Sequence, residues 1–416
     1  MKNILLLGNG FDMYYKLPTK YVNFLHVVNY LLDNRSEKFE TIADVFSQKS
    51  LQETDPFIAK CYDTHKQIFD TVLLEGDDIS EIIKLTEKNL WFSYFNKVFN
   101  KDVGWIDFEK EISFVLKCFK RAFEKSTTIH FTTEEKHIQY VIELFKFYID
   151  KVASQKVVTI GTYKVNTEYC IESPQGSGHD IINTEKVIET LYIELYNFSQ
   201  ALKLYLKCFV ENAYGLLKSN GTCSRIDIFS HIEKVITFNY TNTYENFYYN
   251  NSVFHIHGDL SNEVVLGVNP DEADCLDNVN TTFVCFKKYF QRTLFETDKE
   301  YLRWFDEIVE NQTSYRVFTM GHSLDITDTD IISELFYNAK EIIVLYHDFE
   351  EKKSYIANLV KMFGKRDFDM FKKEKRLTFI SLNQDVSSLK AFLSEESWKD
   401  ISVMINSEQG EKISII

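Results

Sequence analysis

The sequence predicts an α/β protein, a parallel Rossmann-like sheet interrupted after its first strand by a large, mainly α-helical insertion. Three observations carry that expectation. Short β-rich runs open the chain and return beyond residue 230 with helical patterns between them, the alternation of a parallel sheet covered on both faces. From 36 to 227 the apolar residues recur mostly at helical spacing. Glycine and proline are scarce, 14 and 4 in 416 residues, which disfavours a turn-rich all-β sandwich. Residues 1–35 and 228–416 are therefore expected to form the sheet core, and 36–227 the insertion.

Each element follows from local pattern. Ile4 to Leu7 is an apolar run ending at Gly8-Asn9-Gly10, a buried strand entering a tight turn. Leu17-Pro18-Thr19 then precedes a helical pattern from Lys20 to about Asn34, with Thr19 as the expected N-cap. In the insertion the helical stretches are Phe57 to Leu74, Ile79 to Phe99, Trp105 to Phe123, Glu134 to Val152 and Thr184 to Asn212. Val157 to Val165 alternates around Gly161 and reads as a small hairpin, followed by a loop from Ser173 to His179. The later strands are expected at Lys234–Phe238, Val253–His257, Val264–Leu266, Tyr315–Met320, Glu341–Tyr346 and Arg376–Ser381, with helices at Asp328–Ala339 and Glu350–Phe363.

Composition narrows the function. The net charge of −15 repels phosphate backbones and argues against nucleic acid as a partner. No apolar run reaches the ~18 residues of a membrane helix, and the opening apolar stretch is too short for a signal peptide, so a cytoplasmic protein away from membranes is expected. The seven cysteines are odd in number and contain no CxxC pair, which indicates reduced thiols rather than a disulfide framework or a zinc ribbon. No bound metal is expected.

Ligands of open parallel sheets sit beyond the carboxyl ends of the strands. After the first strand, Gly8, Asn9 and Gly10, with Phe11 and Asp12 following, could let a phosphate approach the backbone, or could serve a purely steric corner. The third glycine of a dinucleotide fingerprint is replaced by Met13. After the second comes Thr237-Phe-Asn239-Tyr-Thr241-Asn242, side chains that orient a sugar or a water and equally those of a helix cap. His255-Ile-His257-Gly258-Asp259 places two imidazoles on one strand face, as a base with its support, half of a metal site, or two core histidines. The fourth cluster is Gly321, His322, Ser323 and Asp325, ahead of Thr327 and Asp330, which fit a capping box.

Taken in order, the glycine turn with its downstream Leu17-Pro18, TxNxT, HxHG and GHSLxxxDxD resemble the AbiH family of phage abortive-infection proteins, itself similar to the sirtuin-like NAD-binding fold. Gly8, Gly10 and Leu17-Pro18 match the sirtuin cofactor loop, Asn239 the asparagine of T-x-N-x-D, His257 the histidine before glycine, and Ser323 the G-x-S strand end. Trp105-Ile-Asp107-Phe-Glu109 matches a patch typical of AbiH-like chains, and these three polar and aromatic side chains are the expected lid contacts over the crevice. Thr241 replaces the acid of T-x-N-x-D, Asp12 stands where sirtuins carry a serine, and the four-cysteine zinc module of deacylases is missing, which demotes protein deacylation.

The resemblance implies an abortive-infection effector that hydrolyses NAD to nicotinamide and ADP-ribose. In that reaction Asn239 places the water, His257 takes its proton and Asp12 stabilises the oxocarbenium. Gly8, Asn9, Gly10, Phe11, Pro18, Thr237, Thr241, Gly321, His322, Ser323 and Asp325 would hold the NAD. The implied partners are a small-molecule nucleotide and either a phage-derived trigger or further copies of the chain. Two alternatives stay open: a sensor that binds a nucleotide or NAD derivative without turnover, and a metal-dependent hydrolase or nuclease using His255, His257, Asp259 and His322.

Overall fold

In the N-terminal strand, Leu5 and Leu7 join one hydrophobic cluster while Ile4 and Leu6 join another. A period of two with both faces apolar is what a central parallel strand requires. The computed structural model describes residues 1–99, 107–124, 128–130, 132–152, 162–171, 181–219, 229, 232–248, 252–269 and 281–382. Six strands form the main sheet: β1 (Lys2–Leu7), β2 (Lys234–Thr237), β3 (Val253–His255), β4 (Tyr315–Met320), β5 (Glu341–Tyr346) and β6 (Leu377–Ser381), in the order β6-β5-β4-β1-β2-β3. Every neighbouring pair is parallel, and Leu7 lies opposite Thr237 on one side and Met320 on the other. The chain therefore runs outward from β1 through β2 and β3, then returns to the other side of β1 with β4. That reversal is a topological switch point, and it lies between the β1 and β4 ends.

The helices used below are α1 (Gly10–Tyr14), α2 (Tyr21–Asp33), α3 (Pro56–Phe69), α4 (Gly76–Thr86), α5 (Leu90–Val98), α6 (Phe108–Phe123), α7 (Thr184–Phe209), α8 (Thr243–Tyr248), α9 (Lys288–Phe295), α10 (Lys299–Glu310), α11 (Thr329–Asn338) and α12 (Phe349–Lys373). Helices α10 to α12 bury Tyr301, Phe305, Leu335 and Leu359 against Ile4, Leu6, Val317 and Val344. The opposite sheet face, Leu5, Leu7, Phe318, Met320 and Leu345, shares one continuous cluster with Phe46, Phe69, Phe95 and Phe198 of the helical segment. That segment is thus the second helical layer of the sheet as well as whatever it contributes at the strand ends. Inside that layer the Trp91 indole donates to the Leu191 carbonyl at 2.9 Å, and the Tyr205 hydroxyl ties the layer to the Pro18 carbonyl at 2.7 Å.

Several expected elements differ. Ile79 to Phe99 is two helices, α4 and α5, because Asn89 caps α5 by accepting from the Phe92 amide. The pattern from Glu134 leaves helix at Leu144; Lys146 adopts φ 55, and Tyr148–Val152 is a strand antiparallel to Thr162–Val165. The rest of the expected hairpin, the loop from Ser173 to His179 and Trp105 lie outside the described residues. Val264–Leu266 is a buried loop, tied by the Val265 amide to the His257 carbonyl. Thr19 does not cap α2: its hydroxyl donates to the Asn9 side chain, and Asn23 instead accepts from the Lys20 amide at 3.0 Å. Nor does the Thr327–Asp330 capping box form, since Asp330 pairs with Arg292 and Thr327 turns to Asp328.

Candidate functional site at the switch point

Two turns meet where β1 and β4 end. The Gly8 amide donates to the Met320 carbonyl at 3.2 Å and the Gly10 amide to that of Gly321 at 2.8 Å. A Cβ on Gly10 would lie 2.5 Å from the Gly321 Cα, and one on Gly321, at φ +70, would lie 2.2 Å from the Phe11 nitrogen. The glycines are thus required by the close crossing of two backbones. The helix that follows Gly10 is only five residues long, so little helix dipole is available at the turn.

Beyond the strand ends lies a crevice of about 550 Å³. Its floor comes from Gly8, Asn9, Gly10, Phe238, Asn239, His257, Gly321, His322 and Ser323; Lys20 and Tyr21 from the start of α2 and Asp107 and Glu109 from the start of α6 close one side. Asp325, Asp328, Glu351 and Tyr355 complete the wall. Of the residues expected in the site, Gly8, Asn9, Gly10, Asn239, His257, Gly321, His322, Ser323 and Asp325 meet here, and two of the three expected lid residues, Asp107 and Glu109, face them.

The remaining expected residues lie beneath or behind the crevice. Phe11 is fully buried among Tyr15, Phe229, Tyr244 and Tyr248. Pro18 is buried and offers its carbonyl to Tyr205. Thr237 accepts from the Asn239 amide at 3.1 Å, which shapes the turn after β2. Thr241 donates to Asp12 at 2.6 Å in a buried chain that continues through Thr243 to Tyr214. Burial raises the Asp12 carboxyl to about 6 despite that hydrogen bond.

The two histidines after β2 part company because β3 ends at His255, so strand alternation stops there. His255 sits between the Asn239 carbonyl at 3.0 Å and Glu245 of α8 at 2.7 Å. Burial pulls its pKa down, but Glu245 outweighs that and raises it. Asp259 is occupied by the Ser261 and Asn262 amides, so His255, His257, Asp259 and His322 do not converge on one point. Asn239, which lines the crevice, is fixed by donating its side-chain amide to the Gly8 carbonyl at 3.1 Å.

Four side chains the motifs did not assign as a group surround His257. Lys288 of α9, 1% exposed, places its ammonium 2.8 Å from Asp328 Oδ1, 2.7 Å from Glu109 Oε2 and 3.1 Å from the Thr327 carbonyl. His257 Nε2 lies 3.1 Å from the same Asp328 oxygen, tilted out of the line of a hydrogen bond, and His322 Nε2 lies 3.3 Å from the other. Burial, then the Lys288 charge, lower His257 to about 4, so it is neutral near pH 7. Burial pushes Glu109 up to about 7 against the pull of Lys288. Asp328 is held well below the carboxylate range, its burial outweighed by Lys288 and the two histidines. A neutral imidazole beside a charged carboxylate can accept a proton, and the carboxylate then stabilises the imidazolium. Lys288 left no trace in the sequence, since Lys287-Lys288 at a helix start reads as a solvated face; Asp328 was visible only as the first acid of DxD.

No curated protein and no solved structure matches the chain. One family does: its description, Bacteriophage abortive infection AbiH, applies to residues 4–347, a span that runs from β1 past the end of β5 and takes in every residue of the crevice up to Asp328. With the strand-end motifs and the helical segment both inside one continuous match, the chain belongs to the AbiH family of bacteriophage abortive-infection proteins.

Proposed function

We propose that this chain is an abortive-infection effector whose crevice hydrolyses NAD, with water and NAD giving nicotinamide, ADP-ribose and a proton. The observation that carries the reading is the meeting of Asn239 and the buried His257 in one crevice beyond the ends of the parallel strands. The likeness of these two positions to the sirtuin motifs supports NAD as the substrate. Nicotinamide leaves from a pyridinium and needs no proton donor, so the protein has two tasks: to stabilise an electron-poor ribosyl cation and to deliver water to it. Asn239 would orient the water and His257 would take its proton. Asp12 is enclosed by its Thr241 contact below the crevice, so the role of facing the cation passes to Glu109, a carboxylate that lines it.

The test is to incubate the full chain with NAD and measure free nicotinamide, both with purified protein and in cells infected with phage. Release of nicotinamide that disappears in Asn239→Ala is the expected outcome. Binding of NAD without any release, in both settings, would replace hydrolysis by the nucleotide-sensor reading, which uses the same crevice and differs only in turnover.

A further inference from the structure

His257 can serve as a base only if one particular nitrogen carries its proton. Its Nε2 lies 3.1 Å from Asp328 Oδ1, out of the line of a hydrogen bond but close enough for the carboxylate charge to favour hydrogen on that nitrogen, and Nδ1, across the ring, is then the nitrogen left to take a proton. His322 is constrained in the same sense by an independent contact. Its Nδ1 accepts from the Leu324 amide at 2.9 Å, so the hydrogen of the neutral ring must be on Nε2, the nitrogen 3.3 Å from Asp328 Oδ2. One carboxylate thus meets one nitrogen of each imidazole, an oxygen to each. Phe238 packs against both rings, at 5.2 and 4.5 Å between centroids, and limits their rotation.

Asp328 in turn is immobilised from outside the β4 loop. The Lys288 ammonium donates to Asp328 Oδ1 and to the Thr327 carbonyl, and it pairs by charge with Glu109 Oε2 at 2.7 Å. Glu109 arrives from α6, in the helical layer, and Lys288 from α9, so three separate parts of the chain must be seated for the carboxylate to hold this position. A second tie joins two of these parts at the surface, where Lys110 of α6, paired with Asp107 at 2.9 Å, reaches Asp325 of the β4 loop at 2.8 Å. The charged and titratable groups around His257 are therefore Asp328, Lys288, Glu109, Arg292 and His322.

We propose that Asp328 is the positioning residue of this site: clamped by Lys288 and Glu109, it fixes His257 in the form that carries hydrogen on Nε2, the form that the Leu324 amide sets in His322, and so makes the proton-accepting nitrogen of His257 depend on the helical layer being seated. This rests on the crevice being the reactive site proposed above, but its test does not require that any NAD be cleaved. Asp328 touches neither substrate nor water in this scheme; it acts through the His257 imidazole.

The experiment is nitrogen NMR of the full chain labelled in histidine, with His257→Gln and His322→Gln used to assign the two rings. At pH 7 the wild-type protein should show both in the Nε2–H form. In Asp328→Asn, whose amide can donate as well as accept, His257 should lose that preference while His322, still held by the Leu324 amide, should keep it. Nicotinamide release by Asp328→Asn should fall ~100-fold in kcat with KM within about twofold, the pattern of a misplaced base rather than of lost binding. A wild-type His257 in the Nδ1–H form would overturn the proposal even if the variant failed to fold, and so would an unchanged His257 in a folded Asp328→Asn. The expected tautomers without nicotinamide release would uphold the role of Asp328 and reject hydrolysis.

Discussion

Asn239 and His257 have different reasons to be where they are, and their replacements separate function from fold. Asn239 spends its amide hydrogen on Gly8, and His257 is buried with one nitrogen beside a carboxylate. Asn239→Ala and His257→Ala should each reduce NAD cleavage by ~100-fold or more, the usual scale for a positioned polar group or base. Both should keep a cooperative unfolding transition, checked by circular dichroism; loss of folding would return them to a turn anchor and a core histidine. Asp12 makes a different prediction, because its folded pKa, about 6, lies above the ordinary value of 3.8. Between those two pH values the folded state binds more proton than the unfolded state, so stability from this group is present at low pH and is lost as pH rises through about 6. The loss is on the order of 3 kcal/mol at most. Urea titrations from pH 4 to 7 should show that slope in the wild type and a flatter one in Asp12→Asn.

At the scale of elements, the crossing of the turns after β1 and β4 brings the crevice floor together. Gly321 has φ +70 and no room for a Cβ, with the Phe11 nitrogen and the Gly10 carbonyl carbon 2.2 and 2.5 Å from where it would lie. Backbone strain and overpacking each cost about 1–3 kcal/mol, so Gly321→Ala should lower stability by ~3 kcal/mol or more in chemical denaturation. The contrast is Lys110→Ala. Its bridge to Asp107 and Asp325 is half exposed, and exposed ion pairs contribute only ~0–1 kcal/mol. A Gly321→Ala protein as stable as the Lys110→Ala protein would show that the two turns are free to part.

For the molecule as a whole, the sheet and the helical layer share one apolar cluster. Replacing residues 36–227 with a short linker would uncover Leu5, Leu7, Phe318, Met320 and Leu345 on one face of the sheet. The shortened chain should aggregate or fail to fold, and the intact chain should unfold in a single transition seen alike by far-ultraviolet dichroism and tryptophan fluorescence. A soluble shortened chain with a cooperative transition of its own would show that the sheet needs no second layer. The same continuity explains how Glu109 of the helical layer comes to meet Lys288 and Asp328 in the sheet's crevice.

Local pattern sufficed for much of this. Tyr315–Met320 and Glu341–Tyr346 are strands as their β-rich runs predict, and β1 lies between the strand that leads to Phe238 and the one that ends at Met320. The strand-end motifs at Asn239, His257 and Gly321–Ser323 were legible because parallel strands gather their carboxyl ends on one side whatever lies between them in sequence. Helix breaks were less legible: the end of a helix is decided by one cap or one left-handed residue, as at Asn89 and Lys146, rather than by period. What no pattern revealed is the charged centre. Lys288, Glu109 and Asp328 are separated by scores of residues; Lys288 alone reads as a helix face and Asp328 as a helix start, and Glu109, though expected over the crevice, carries no sign of its two partners. Only packing, which removes water from all three at once and sets a single ammonium between two carboxylates, turns them into one site.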